Sequence, residues 1–143
     1  MKTQILAGLA TLALAGPALA NGDSGDSGRG ERLFLKCKAC HSIVKPDGGV
    51  VVKGGKVGPD LYGVIGRKAG TEPGFNYGAG LKELGDKGVV WTVELVSEYV
   101  ENPTEFVREK TGDAAARSNM SYKLAEGGED VAAYLASVAP AAN

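Results

Sequence analysis

The chain has very little from which to build a metal site. Its 143 residues include one histidine, two cysteines and two methionines, one of them Met1. Zinc ribbons, two-metal hydrolases and disulfide-dense secreted scaffolds need several such residues at regular spacings, and all are excluded. Charge of one sign is also lacking: 16 Lys and Arg stand against 17 Asp and Glu, a net −1. Nucleic-acid-binding domains are normally basic overall, so that class is excluded as well. Aromatic residues make up only 6 % of the chain, while glycine is abundant at 22 residues.

Only one long apolar run exists, and it lies at the N-terminus. Met1 and Lys2 give a positive start, Ile5 to Leu19 is almost wholly apolar, and Pro17 precedes the small-x-small triplet Ala18-Leu19-Ala20. That is the layout of a cleaved secretory signal. The competing reading, an uncut membrane anchor, is disfavoured because the run falls short of the ~20 residues a span needs. The prediction is a signal over residues 1–20, cut after Ala20, and a soluble exported protein in the periplasm with no stable membrane anchor. Residues 21–28 (NGDSGDSG) read as a flexible lead-in, and 29–140 as one domain.

Within that domain the periodicity is helical and the helices are short. Asp26 or Ser27 can cap a first helix with Leu33 and Phe34 on its apolar side. Gly78 to Leu84 predicts a second. Thr92 caps a clearer one, with Leu95, Val96, Tyr99 and Val100 at helical spacing and Pro103 ending it. Val131, Tyr134, Leu135 and Val138 make the apolar face of a last helix. Residues 42–58 contain Val50-Val51-Val52 and could form a hairpin, but the pairs Gly48-Gly49 and Gly54-Gly55 favour a loop. Long Gly-rich loops around so few aromatics need a functional reason. A group other than protein filling the core would supply it.

Cys37-Lys38-Ala39-Cys40-His41 is the C-x-x-C-H pattern of covalent c-type haem attachment. Two thiols on one helical turn can reach the two vinyl groups along one side of a porphyrin, and the next residue offers its imidazole to the iron. Two alternatives compete. A redox-active dithiol would lie in a βαβ pattern, which is missing here. A structural disulfide gives His41 no reason to follow directly. The haem reading leaves the second face of the iron. Beyond the signal the only methionine is Met120, in the polar stretch Ser118-Asn119-Met120-Ser121-Tyr122. A lone methionine is more often a gap-filler on a helix face. This setting is not a helix face, and a thioether suits low-spin haem iron. A five-coordinate haem, open to small molecules, is the remaining alternative.

With these pieces in place, the chain resembles the class I c-type cytochromes, most of all the soluble bacterial cytochrome c2 group. The resemblance runs from Gly30 to Val138. It rests on Gly30 with Phe34, on Cys37-x-x-Cys40-His41 and on Gly58-Pro59-Asp60-Leu61. Further on it includes Gly63, Gly66-Arg67, Trp91, Asn102-Pro103 and Met120 before Tyr122-Lys123-Leu124. It implies an all-α, single-domain cytochrome c fold whose short helices and Gly-rich loops wrap one covalently attached haem c. Cys37 and Cys40 would carry the thioethers, and His41 and Met120 would be the axial iron ligands. Gly30 would let the first and last helices cross closely under Tyr134. The Pro59 carbonyl would accept from His41 Nδ1–H. Arg67, Tyr77 and Trp91 would donate to the haem propionates, and the Tyr99 hydroxyl would bond near the Met120 sulfur. Extra length at 45–57 and 104–119 sets the chain apart from the shortest members.

The near-zero total charge hides an asymmetry. Residues 29–68 hold nine basic and three acidic side chains, and residues 69–143 hold six basic and twelve acidic. Lys36, Lys38, Lys45, Lys53 and Lys56 cluster in sequence around the haem motif, with Lys123 near Met120. A solvated, merely uneven surface is one reading. The other is a basic ring that steers the haem edge to acidic redox partners. Together these imply a monomeric, non-enzymatic electron carrier. By the resemblance, its donor would be a cytochrome bc-type membrane complex, and its acceptor a reaction centre or terminal oxidase.

Overall fold

A computed structural model describes residues 25–140. The signal, its cleavage after Ala20 and most of the lead-in lie outside the described residues. Five helices and one small hairpin make up the described chain.

Helix α1 (Ser27–Phe34) starts where its cap predicts: the Asp26 carboxylate accepts from Gly28 N at 2.8 Å and Arg29 N at 3.0 Å. Two of the helix's orphan donors are thereby satisfied. Composition alone placed Asp26 to Gly28 in the lead-in; instead Asp26 is the helix cap and Ser27 and Gly28 lie in its first turn. Helix α2 (Ala79–Asp86) begins after Gly78. Helix α3 (Val93–Glu101) is capped by Thr92 Oγ1, which accepts from Leu95 N at 3.2 Å. Helix α5 (Gly128–Val138) buries Val131, Tyr134 and Leu135, the stripe the spacing predicts.

Two elements differ from the sequence reading. Residues 42–58 contain an antiparallel hairpin, β1 (Ile43–Val44) with β2 (Val50–Val52), and are not wholly loop. Ile43 is fully buried and draws its strand into the core. Asp47 Oδ1 accepts from Gly49 N, and Gly48 takes φ +87°, so the glycine pair builds the turn. The second difference is α4 (Pro103–Thr111), a helix that the sequence reading did not predict in the extra length at 104–119. Pro103 ends α3 and also opens α4, at a position where its missing N–H costs nothing. Asn102 Oδ1 caps the new helix at Glu105 N, and Gly112 at φ +77° closes it.

Helices α1 and α3 pack on α5, and α2 and α3 pack on α4. Phe34, Leu84, Val107 and Val131 are among the fully buried side chains of the core. Trp91, Tyr99 and Phe106 form a cluster with ring centroids 5.1 to 5.7 Å apart.

The α1–α5 crossing has a polar lock. The Asp130 side chain, in the first turn of α5, is buried. Its Oδ1 accepts from Asp26 N at 2.7 Å, while Arg29 Nη1 lies 3.2 Å from Oδ2 at ion-pair distance but outside hydrogen-bond geometry. Asp130→Ala leaves the Asp26 N–H without its acceptor and should cost about 1–3 kcal/mol. A lower midpoint in chemical denaturation, with an unaltered visible spectrum, is the expected result. An unchanged midpoint would show the lock to be idle.

Candidate functional site

Beyond α1 the chain continues as a turn. Cys37 N and Lys38 N donate to Phe34 O at 2.8 and 3.1 Å, and Cys40 N and His41 N donate to Cys37 O at 3.1 and 3.0 Å. One turn therefore carries both thiols and the imidazole. The glycine-rich segment lies against it, with Gly55 N donating to Lys38 O and Gly58 N to Cys40 O. Gly58 must be glycine: a Cβ there would come within 2.2 Å of His41 Cε1. That contact brings Pro59 into place.

His41 Nδ1–H donates to the Pro59 carbonyl at 2.7 Å, which leaves Nε2 as the unprotonated ring nitrogen. Burial pushes the His41 pKa below its ordinary value, although the Pro59 bond and Asp60 pull the other way. The imidazole is therefore neutral at neutral pH and ready to ligate. Burial, with Cys40 adding to it, pushes the Cys37 thiol up to about 11. Dithiol oxidoreductases need the opposite shift. Both cysteines are free.

Cys37, Cys40, His41 and Met120 all line one cavity of about 310 Å³. Its walls are mainly apolar, with Phe34, Leu61, Leu81, Val96 and Leu135 among them. Arg67, Tyr77, Trp91 and Asn119 supply polar lining. Two backbone bonds set Arg67 beside Trp91: Trp91 N donates to Arg67 O at 2.9 Å, and Gly66 N to Trp91 O at 2.7 Å. Apolar walls, a free imidazole nitrogen, two thiols on one turn and a few donors fit a flat apolar macrocycle with an anionic edge. Among the described residues no group of three or more His, Cys, Asp or Glu could hold a metal ion by itself.

Tyr99, Arg67 and Tyr77 each have a partner within the chain. The Tyr99 hydroxyl lies 2.7 Å from Ser118 Oγ, which accepts from Met120 N at 3.1 Å, so Tyr99 is linked to the methionine's backbone through a serine. Burial pushes the Tyr99 phenol up to about 12, keeping it protonated. Arg67 is ion-paired with Glu72. The Tyr77 hydroxyl accepts from Glu72 N at 3.3 Å. Ser118 and Glu72 were given no role from the sequence, and Gly58 entered only as part of the Gly58-Pro59-Asp60-Leu61 motif.

Of the lysines, Lys36 lines the cavity, and Lys38, Lys56 and Lys123 are exposed beside lining residues Ala39, Val57 and Tyr122. Lys45 and Lys53 flank the hairpin strands, with no chain neighbour among the lining residues.

No protein-family model matches the chain. It is 52 % identical over 139 residues to cytochrome c2 of Rhodobacter capsulatus, across 96 % of this chain and 98 % of the relative. The chain belongs to the cytochrome c2 group of the class I c-type cytochromes. Cytochrome c-550 of Paracoccus versutus is 49 % identical, across 98 % of this chain and 91 % of the relative. The solved structure of the Rhodobacter capsulatus cytochrome c2 is 55 % identical, with a TM-score of 0.79 over 80 % of this chain and 98 % of that one. The cytochrome c fold, one covalently bound haem c and electron transfer in place of catalysis follow for this cytochrome. Among the described residues no helix is long and apolar enough to cross a membrane.

Proposed function

We propose that this cytochrome is a periplasmic carrier of single electrons between membrane redox complexes, with its haem attached through Cys37 and Cys40 and ligated by His41 and Met120. The observation that carries this reading is the meeting of those four side chains in one apolar cavity, with His41 Nε2 left free by the Pro59 bond. When bound, the haem supplies reversible one-electron exchange at iron, with no bond made or broken to a substrate.

The chain's own residues do the rest. Pro59 holds the His41 ring in one tautomer and makes it a better donor. Ser118 and Tyr99 fix the backbone that presents Met120. The apolar walls exclude water, which favours a soft thioether over an aquo ligand. Arg67, Tyr77 and Trp91 line the cavity with donors for a propionate edge. The signal-like N-terminus supports export, and c-type haem is attached after translocation.

The cavity mouth supports the choice of partner. Val57 is 77 % exposed and Tyr122 43 % exposed among its lining residues. Lys36, Lys38, Lys56 and Lys123 stand beside them. A small apolar contact ringed by cations suits brief docking on an acidic face, such as a cytochrome bc-type donor and a reaction-centre or oxidase acceptor. The second-order rate constant with such a partner should fall steeply as ionic strength rises. Lys38→Glu or Lys56→Glu should slow association by about two- to fivefold at low salt. Stopped-flow measurement across a salt series tests both. A flat salt dependence, or rates unchanged by charge reversal, would reduce the lysines to an ordinary surface.

A further inference from the structure

Arg67 stands between two concavities. On one side it lines the main cavity; on the other it shares a shallow cleft with Asp60, Tyr62 and Glu72, walled by Val44 and Pro46 of the hairpin. Its guanidinium is well occupied. Nη2 donates to Asp60 O at 2.8 Å, and Nη1 reaches Tyr62 O at 3.4 Å and the Glu72 carboxylate. Both members of the pair are largely withdrawn from water, with Arg67 15 % and Glu72 21 % exposed at the side chain. Glu72 lines the cleft and not the cavity. It sits behind the arginine as a charge that offsets it.

We propose that Glu72 is a positioning residue that acts through Arg67: it sets how much positive charge faces the haem, and thereby ties the reduction potential to pH. The inference rests on the preceding reading, in which the haem fills the cavity beside Arg67. A lone guanidinium there disfavours the oxidised iron, which carries one more positive charge than the reduced. An ionised Glu72 cancels that effect and lowers the potential. Protonating Glu72 releases the arginine's charge and raises it.

The surroundings make Glu72 harder to ionise than an exposed carboxylate. Burial pushes the Glu72 carboxyl above its usual value; Arg67 opposes the shift, and Asp60 adds to it. The groups facing Glu72 are Arg67, Asp60, Tyr62 and Tyr77, while the hairpin wall contributes only the uncharged Val44 and Pro46. The Asp60 carboxylate is already engaged, accepting from Ser42 Oγ at 3.1 Å and Tyr62 N at 2.9 Å. Glu72 is the carboxylate of the cleft that pairs with the arginine. On reduction, one electron arrives from the redox partner, and up to one proton moves from solvent to Glu72; oxidation returns both. The reduced protein therefore holds this proton to higher pH than the oxidised protein does.

The test is a spectroelectrochemical titration of the holoprotein from mildly acidic to mildly alkaline pH. In the wild type the potential should fall as pH rises through the Glu72 transition. Glu72→Gln should lose that slope. At neutral pH it should favour the reduced form by about tenfold, equivalent to 59 mV for one electron. Glu72→Asp, which keeps the charge, should keep a slope. Carbon-detected NMR of the Glu72 carboxyl should show a higher pKa in the reduced state than in the oxidised. Equal potentials and equal slopes in wild type and Glu72→Gln, with the haem spectrum of both intact, would overturn the inference and assign any pH dependence to the propionates. Wild-type protein lacking covalent haem would instead overturn the reading on which it rests.

Discussion

Met120→Ala should abolish the methionine-to-iron charge-transfer band of the oxidised protein, let the reduced protein bind CO, and leave the haem covalently attached. The reason begins with scarcity. Beyond Met1 the chain has no other methionine, and its single histidine is His41, so neither residue type can supply a substitute ligand. Met120 is partly buried against the core and lines the cavity, and its backbone N–H is tied to Ser118 Oγ. The polar stretch that carries it is therefore held in place independently of any bond at sulfur. Loss of the thioether removes the ligand known to raise the potential in His/Met haems, and a fall on the order of 0.1–0.2 V is expected. Truncation also removes packing at a cost of about 2–5 kcal/mol. Met120→Leu separates the two effects, because it conserves volume. It should reproduce the spectral change and the lower potential with a smaller loss of stability. A charge-transfer band absent from the wild type, or surviving in either variant, would remove Met120 from the iron.

How much of this was legible in the sequence depends on the distance over which each feature is encoded. The N-cap of α1, the Thr92 cap of α3 and the stripe of α5 are local patterns, and they read correctly because cap and periodicity agree. Helix α4 did not. It offers only Phe106 and Val107 as adjacent buried apolar residues, too few for a period, and Pro103 reads as an ending unless the Asn102 cap is weighed with it. The hairpin was weighed but a loop was favoured because its glycines look like breakers, whereas the burial of Ile43 that stabilises it is a tertiary fact. At the site, Cys37, Cys40 and His41 share one turn, so their spacing alone carries the chemistry. The approach of Pro59 to His41 spans 18 residues and came only with the family resemblance. The pairing of Arg67 with Glu72 was visible to neither route. The two lie only five residues apart in one loop, and no period or motif marks the turn that brings them together.

Gly30→Ala should be strongly damaging although it adds one methyl group. Alanine is the better helix former by about 1 kcal/mol, so local propensity predicts stabilisation. The crossing of α1 and α5 reverses the sign. A Cβ at residue 30 would lie 1.9 Å from the Asp130 carbonyl oxygen, 2.5 Å from its carbon and 2.8 Å from Tyr134 Cβ. Two of these atoms are backbone and cannot turn aside, so the helices must separate. Separation strains the Asp26–Asp130 lock and the Phe34–Tyr134 ring contact, whose centroids are 5.6 Å apart. It also opens the haem cavity, because Phe34 of α1 and Val131 and Leu135 of α5 form part of its wall. Overpacking of a tight contact costs about 1–3 kcal/mol, and here the lost contacts add to it. A drop of about 3 kcal/mol or more is expected from guanidinium denaturation, together with a lower yield of holoprotein. Gly28→Ala on the same helix is the control. Its Cβ would meet only side-chain atoms, Asp26 Oδ1 at 3.2 Å and Arg32 Nη1 at 4.0 Å, and its stability should stay near that of the wild type. If the two variants denature alike, the helix crossing does not depend on the missing Cβ of Gly30.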